Sequence, residues 1–293
     1  MKDVVFGQIY PVDSPVHRAD PRAKLLIMIV YIVTVVFVPS FMLYAVIAVV
    51  LLAITLMSRV PPLKVLGGLK AVIVLGVVTF IFTVLLNDGA GKEAELEAFG
   101  FFVEFGPFTI CGSGLLSGGR IMCRIILLVI GPTLVTLTTT PVDMADAVEW
   151  LLTPLKLIRV PVHAFGMIMS IALRMIPTLF EEAQRMMNAQ KARGACFDHG
   201  NIFKRAGALL PVLIPLFVSA FKRAGDLADA MESRCYNGGK GKTRMKVMRF
   251  SVRDVLAMLF FAALLFFVLV CTYNWWGWGW TAFFRLDMVG PAV

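Results

Sequence analysis

Charge is scarce in this chain. Only 16% of its 293 residues are Asp, Glu, Lys or Arg, against about 25% in soluble domains. Histidine is scarcer: His17, His163 and His199 are scattered, and no HExxH-like ligand spacing exists. Five cysteines (Cys111, Cys123, Cys196, Cys235 and Cys271) show no CxxC spacing, which excludes a zinc pattern or a disulfide framework. Cys123, Cys235 and Cys271 lie in or beside helical patterns and read as small apolar residues. There is no Walker A sequence, so any ATP energy must be borrowed. Basic residues are not interleaved with aromatics, which leaves no basis for a nucleic-acid partner. Asp3 and Asp13 precede the first apolar run, so the N-terminus is not a cleavable signal.

What is abundant is apolar surface. Hydrophobic residues make up 59% of the chain and the mean hydropathy is +0.83, well beyond the 45–50% or so of soluble domains. The composition is that of an integral membrane protein. The run Leu25–Met57 would be about 50 Å long as one helix, against a hydrocarbon core of about 30 Å. Pro39-Ser40 divides it into two spans with a tight turn. Asp20-Pro21 offers a cap followed by proline in the first turn, with Arg22 and Lys24 reaching to the interface. Arg59, Pro61, Pro62 and Lys64 form a basic loop. A third span covers about 69–86 and a fourth 115–139. A last span covers 255–273, followed by an interfacial cluster of Trp275, Trp276, Trp278 and Trp280. Between the third and fourth spans, an acidic outer loop contains a small hairpin around Gly106-Pro107.

The Lys and Arg counts then alternate. Four lie before the first span, three after the second and 17 between Pro141 and Arg253, against one in the loop after the third span and one in the C-tail. Positive residues favour the cytoplasm, so the N-terminus is cytoplasmic and the C-terminus extracellular. The 17-charge block reads as three amphipathic helices: 141–157, 163–193 with a kink at Pro177, and 214–236. Thr140 and Pro141 open the first, with Asp143 at the positive end of its dipole. Ala220, Ala224, Leu227, Ala228, Met231 and Cys235 form one stripe of the third. The second and third are loosely repeated at an offset of 41, which pairs Ala183 with Ala224, Met186 with Leu227 and Arg193 with Arg234.

Ala192-Arg193-Gly194 and Ser233-Arg234-Cys235 mark the ends of those two helices. One reading has each arginine complementing the negative end of its own dipole, worth about 0.3–1 kcal/mol. The other has two guanidinium forks presented to carboxylates on a two-fold or pseudo-two-fold partner. The other candidates are weaker. Arg120 and Arg124, four apart near the outer end of the fourth span, either snorkel or contact a neighbouring chain or an outer-loop acid. Glu181 and Glu182 point about 100° apart and belong to a solvated face.

Asp20-Pro21-Arg22-Ala23-Lys24-Leu25-Leu26, Leu137-Thr138-Thr139-Thr140-Pro141, Ser170–Thr178 (Ser-Ile-Ala-Leu-Arg-Met-Ile-Pro-Thr) and Ala189–Ala195 (Ala-Gln-Lys-Ala-Arg-Gly-Ala) stand in order along the chain. In these it resembles the transmembrane T component of energy-coupling factor (ECF) vitamin and metal transporters, over about 10–273. The resemblance implies an all-α integral membrane protein with about five transmembrane helices and three cytoplasmic coupling helices between the fourth and fifth. Its parts would be a four-span region (1–140, outer loop 87–114), a coupling module (141–253), and a last span with a Trp-rich tail (254–293).

It implies a non-catalytic subunit of a prokaryotic cell-membrane importer, binding no cofactor itself, with ATP and Mg on its partners. Those partners would be two cytoplasmic ATP-binding subunits and a substrate-binding S component. Ala192, Arg193, Gly194, Ser233, Arg234 and Cys235 would bind the ATPase subunits. Ser233 and Cys235 depart from the family's Ala and Gly, and the helix stop is expected to be displaced to Asn237-Gly238. The competing classes are a membrane enzyme such as a phosphatidyltransferase, which needs spaced aspartates that are missing here, and a channel, for which no filter-like sequence exists.

Overall fold

The computed structural model describes residues 12–38, 40–86, 102–105, 108–158, 162–195, 202–236 and 250–273. They belong to two compact units, one within Pro141–Val247 and the other comprising Gly7–Thr140 with Met248–Val293.

The larger unit begins as the sequence predicts. Asp20 caps helix α1 (Pro21–Phe37) by accepting the Arg22 amide at 3.0 Å, with Pro21 in the first turn. Val38 is extended, and the chain re-enters a helix at Ser40, whose hydroxyl accepts the Met42 amide ahead of α2 (Phe41–Ser58). Arg59 ends α2 in the left-handed conformation. The basic segment read as a loop contains a short helix, α3 (Pro62–Gly67), a role that proline suits at the first position. Then come α4 (Lys70–Leu86), strands β1 (Phe102–Phe105) and β2 (Phe108–Cys111), α5 (Gly112–Thr138) and, after the smaller unit, α9 (Val252–Tyr273). The strands pair antiparallel with Phe105 opposite Phe108, which is the predicted hairpin. The tryptophan cluster lies outside the described residues.

Helix α5 is the centre of this unit and packs on α1, α2, α3 and α4, while α9 packs on α1. Tyr31, Val35, Leu43, Ile47, Leu127, Leu134, Phe261 and Val268 form its core. The helices approach closely where α5 lacks side chains. The Tyr31 ring lies on Gly131, where a Cβ would overlap it, and its hydroxyl donates to the Leu127 carbonyl at 2.6 Å. At one end, the buried Lys24 ammonium donates to the Thr138 carbonyl (2.9 Å) and the Thr139 hydroxyl (3.2 Å). The length of the first span predicts that Lys24 reaches to the interface; the structure uses it to bind the carbonyl end of α5.

Among the described residues, four helices are long and apolar enough to cross a membrane: α2, α5 and α9, and also α7 of the smaller unit. At 17 residues each, α1 and α4 are about 25 Å long, so they match the bilayer core only with their flanking residues. Outward-facing Val49, Leu52, Leu56, Val74, Leu256 and Leu259 are exposed, as lipid-facing side chains would be. The all-α integral membrane architecture is therefore as expected.

The smaller unit differs from expectation in two helix bounds. Helix α6 covers Pro141–Leu151 and gives way to a 3-10 turn at Thr153–Ile158, short of the predicted end at 157. Pro154 has no amide to offer the Trp150 carbonyl, and its ring crowds that carbonyl, so the α-helix stops. Helix α7 (Val162–Ala192) runs through Pro177. Helix α8 (Ile202–Ser233) starts twelve residues before the predicted 214 and runs through Pro211 and Pro215. Those prolines argue for a later start, but Leu209, Leu210, Leu213, Ile214, Phe217 and Val218 around them are exposed and apolar. The helix continues across both prolines, each of which removes one intrahelical bond. Near the start of α7, Gly166 lies against the buried Glu149 carboxylate of α6, and His163 Nδ1 is 3.6 Å from it.

Candidate functional site

Helices α7 and α8 end in the same way. The Ala195 amide reaches back to the Gln190 carbonyl and the Gly194 amide to that of Lys191, both at 3.0 Å. At α8, the Tyr236 amide reaches the Met231 carbonyl at 3.0 Å and the Cys235 amide that of Glu232 at 2.8 Å. Both are the paired bonds of a Schellman cap, which requires a left-handed residue just past the last helical turn. Gly194 supplies it with φ 88° and Cys235 with φ 57°. Arg193 and Arg234 each occupy the half-helical position immediately before that residue, and both are exposed.

The expected displacement of the second stop to Asn237-Gly238 is thus corrected. The reversal happens at Cys235 itself, and Asn237-Gly238 lies outside the described residues. A cysteine in this conformation carries a strain that glycine avoids, about 1–2 kcal/mol. Two hydrogen bonds and the adjacent Ser233 hydroxyl, which donates to the Ala230 carbonyl at 3.0 Å, hold the turn together. The six predicted site residues therefore form two geometrically equivalent tips.

The two helices pack on one another. Glu182 of α7 accepts from the Ser219 hydroxyl (2.6 Å) and from the Arg223 guanidinium (2.8 Å) of α8. Glu182 and Arg223 are themselves 41 positions apart, the offset that relates Arg193 to Arg234. The correspondence extends along both helices. Ile171, Met175, Leu179, Glu182, Met186 and Gln190 are sheltered on α7; so are their counterparts Val212, Leu216, Ala220, Arg223, Leu227 and Met231 on α8. Equivalent positions that touch each other are what a local two-fold relation produces.

Sequence reasoning missed this contact. It gave Glu182 to a solvated face, and it drew the α8 stripe through Ala224, Ala228 and Cys235, all of which are exposed. The signal was available: the alignment pairing Ala183 with Ala224 also pairs Glu182 with Arg223. Glu181 behaves as predicted, on an exposed face near Arg185 (3.4 Å). The two carboxylates do not converge.

In the larger unit, Arg124 donates to the Tyr44 hydroxyl (2.9 Å) and the Val38 carbonyl (3.1 Å). It braces the α1–α2 turn within its own chain. No group of three or more His, Cys, Asp or Glu suited to a metal ion occurs among the described residues.

The fold and the site define a multi-pass helical membrane protein with a unit that carries two matched arginine tips. Comparison with known proteins gives that class a family. The CbiQ family, described as cobalt transport protein, matches residues 13–247. The chain is 42% identical over 277 residues to the energy-coupling factor transporter transmembrane protein EcfT of Clostridium kluyveri, covering 94% of this chain and 99% of that one. It is 40% identical over 259 residues to the EcfT protein of Thermosediminibacter oceani (88% and 94% covered) and 38% over 271 residues to that of Bacillus subtilis (92% and 99%). The chain belongs to the CbiQ family and is a transmembrane component of an energy-coupling factor transporter. It is a non-catalytic subunit, and the membrane-enzyme and channel alternatives fall away.

Proposed function

We propose that this chain couples ATP hydrolysis by two cytoplasmic ATP-binding subunits to movement of a membrane-embedded, substrate-binding S component, for uptake of a vitamin or metal ion. The observation that carries this reading is the matched pair of exposed arginine tips. A capped helix end fixes the backbone on both sides of each arginine, so little backbone freedom remains to be lost on docking. A guanidinium fork suits a carboxylate-bearing groove.

On this reading Ala192, Arg193 and Gly194 seat in one ATPase subunit, and Ser233, Arg234 and Cys235 in the other. ATP and Mg stay on those subunits. Residues 141–253 form the cytoplasmic coupling module, 1–140 and 254–293 anchor it in the bilayer, the N-terminus is cytoplasmic and the C-terminus extracellular. The substrate is chosen by the S component.

The test is co-purification. Arg193→Glu and Arg234→Glu are expected to leave membrane insertion intact and to reduce recovery of the ATPase subunits at least tenfold, more in combination than singly. Wild-type recovery with the double variant overturns the proposal.

A further inference from the structure

Glu182 and Arg223 do more than hold two helices together. Glu182 stands eleven residues before Arg193, and Arg223 eleven residues before Arg234. At 1.5 Å per residue each arginine lies about 16 Å along its helix from the shared contact. The contact is half-sheltered, with side chains 24% and 37% exposed, and Ser219 occupies the other carboxylate oxygen at 2.6 Å. Both Glu182 oxygens are therefore engaged from α8, which fixes its position along that helix. The part-buried residues that flank it at corresponding positions, Leu179 and Met186 on α7 and Ala220 and Leu227 on α8, are apolar and non-directional. They leave sliding and rotation weakly specified, because apolar contacts penalise lost area and not altered direction.

We propose that Glu182 and Arg223, with Ser219, are the positioning residues of the two-armed unit: they set a single crossing point, so the two tips keep one separation and move as a pair. This rests on the tip-docking reading above. It goes beyond that reading in assigning the relation between the tips to a polar contact remote from both. The direction-specific part of the contact is electrostatic, so exchanging its two charges preserves it, whereas reversing one destroys it.

The experiment measures the tip-to-tip distance distribution by pulsed dipolar spectroscopy on the full-length chain in detergent. Spin labels are placed at Ala192→Cys and Ser233→Cys, in a background with the native cysteines replaced (Cys235 by Gly). The unaltered crossing is expected to give one narrow distribution. Glu182→Arg or Arg223→Glu should at least double its width, and Glu182→Arg with Arg223→Glu together should restore it. Single variants of unchanged width, or a charge exchange no narrower than either single variant, overturn the proposal. Should the single variants fail to accumulate, Glu182→Gln and Ser219→Ala take their place, with the same broadening expected and unchanged width overturning it. The readout involves no ATPase subunit, so its outcome is independent of the co-purification result that tests tip docking.

Discussion

The Lys24 ammonium lies 2.9 Å from the Thr138 carbonyl, 114 residues further along the chain. A buried lysine here closes the carbonyl end of α5, the helix on which α1, α2, α3 and α4 all pack. Charged hydrogen bonds contribute about 1.5–3 kcal/mol each. Lys24→Met keeps the aliphatic stem and removes the charge, so it is expected to destabilise the protein by about 2 kcal/mol. Thermal unfolding of the purified chain in detergent reads this directly, and an unchanged midpoint would contradict it.

Gly131 and Tyr31 make a second forecast. A Cβ at 131 would overlap the tyrosine ring, and overpacking of this kind costs about 1–3 kcal/mol. Gly131→Ala is expected to lose that much. The loss should be at least halved when Tyr31→Leu is already present, because the two effects share one contact. Additive losses in a double-mutant cycle would show that the ring is not the obstacle.

The two caps should respond in opposite directions to exchange of their left-handed residues. Gly194→Ala places a Cβ on a backbone with φ 88° and should weaken its cap by about 1 kcal/mol. Cys235→Gly should strengthen the other by a similar amount. Amide exchange at Ala195 and Tyr236 is the direct probe, since those amides close the caps. Changes of about fivefold are expected, faster at Ala195 and slower at Tyr236.

The proposed sidedness, drawn from the charge distribution, makes a prediction of its own. In a background with the native cysteines replaced, cysteines placed at Ala192 and Ser233 should be blocked by a membrane-impermeant maleimide in inverted vesicles and spared in intact cells. Labelling of either from outside would reverse the proposed orientation.

Much of the spanning region was legible because its signals are local. Asp20-Pro21 starts a helix and Pro39-Ser40 separates two, each through backbone chemistry readable in a few residues. The arm unit was harder. Pro211 and Pro215 read locally as helix breakers, and no residue beside them signals that α8 runs through both. Cys235 hides a left-handed turn behind a residue type that rarely adopts one, so the spelling of the second tip obscures a backbone equivalent to the first. Arg223 interrupts an apolar stripe because its partner is on another helix. No property of α8 alone could explain that, whereas the 41-residue correspondence could.

The equal reach of the two arms has an arithmetic consequence. Four residues inserted between Glu182 and Arg193 alone would lengthen one side by about 6 Å and turn its guanidinium by some 40°, while leaving every side chain in the chain unchanged. A partner with two identical sockets would then accept one prong and miss the other. Spacing is therefore a specification in its own right: α7 and α8 together act as a gauge, and relatives of this chain should vary more freely in what the prongs are made of than in how far they extend.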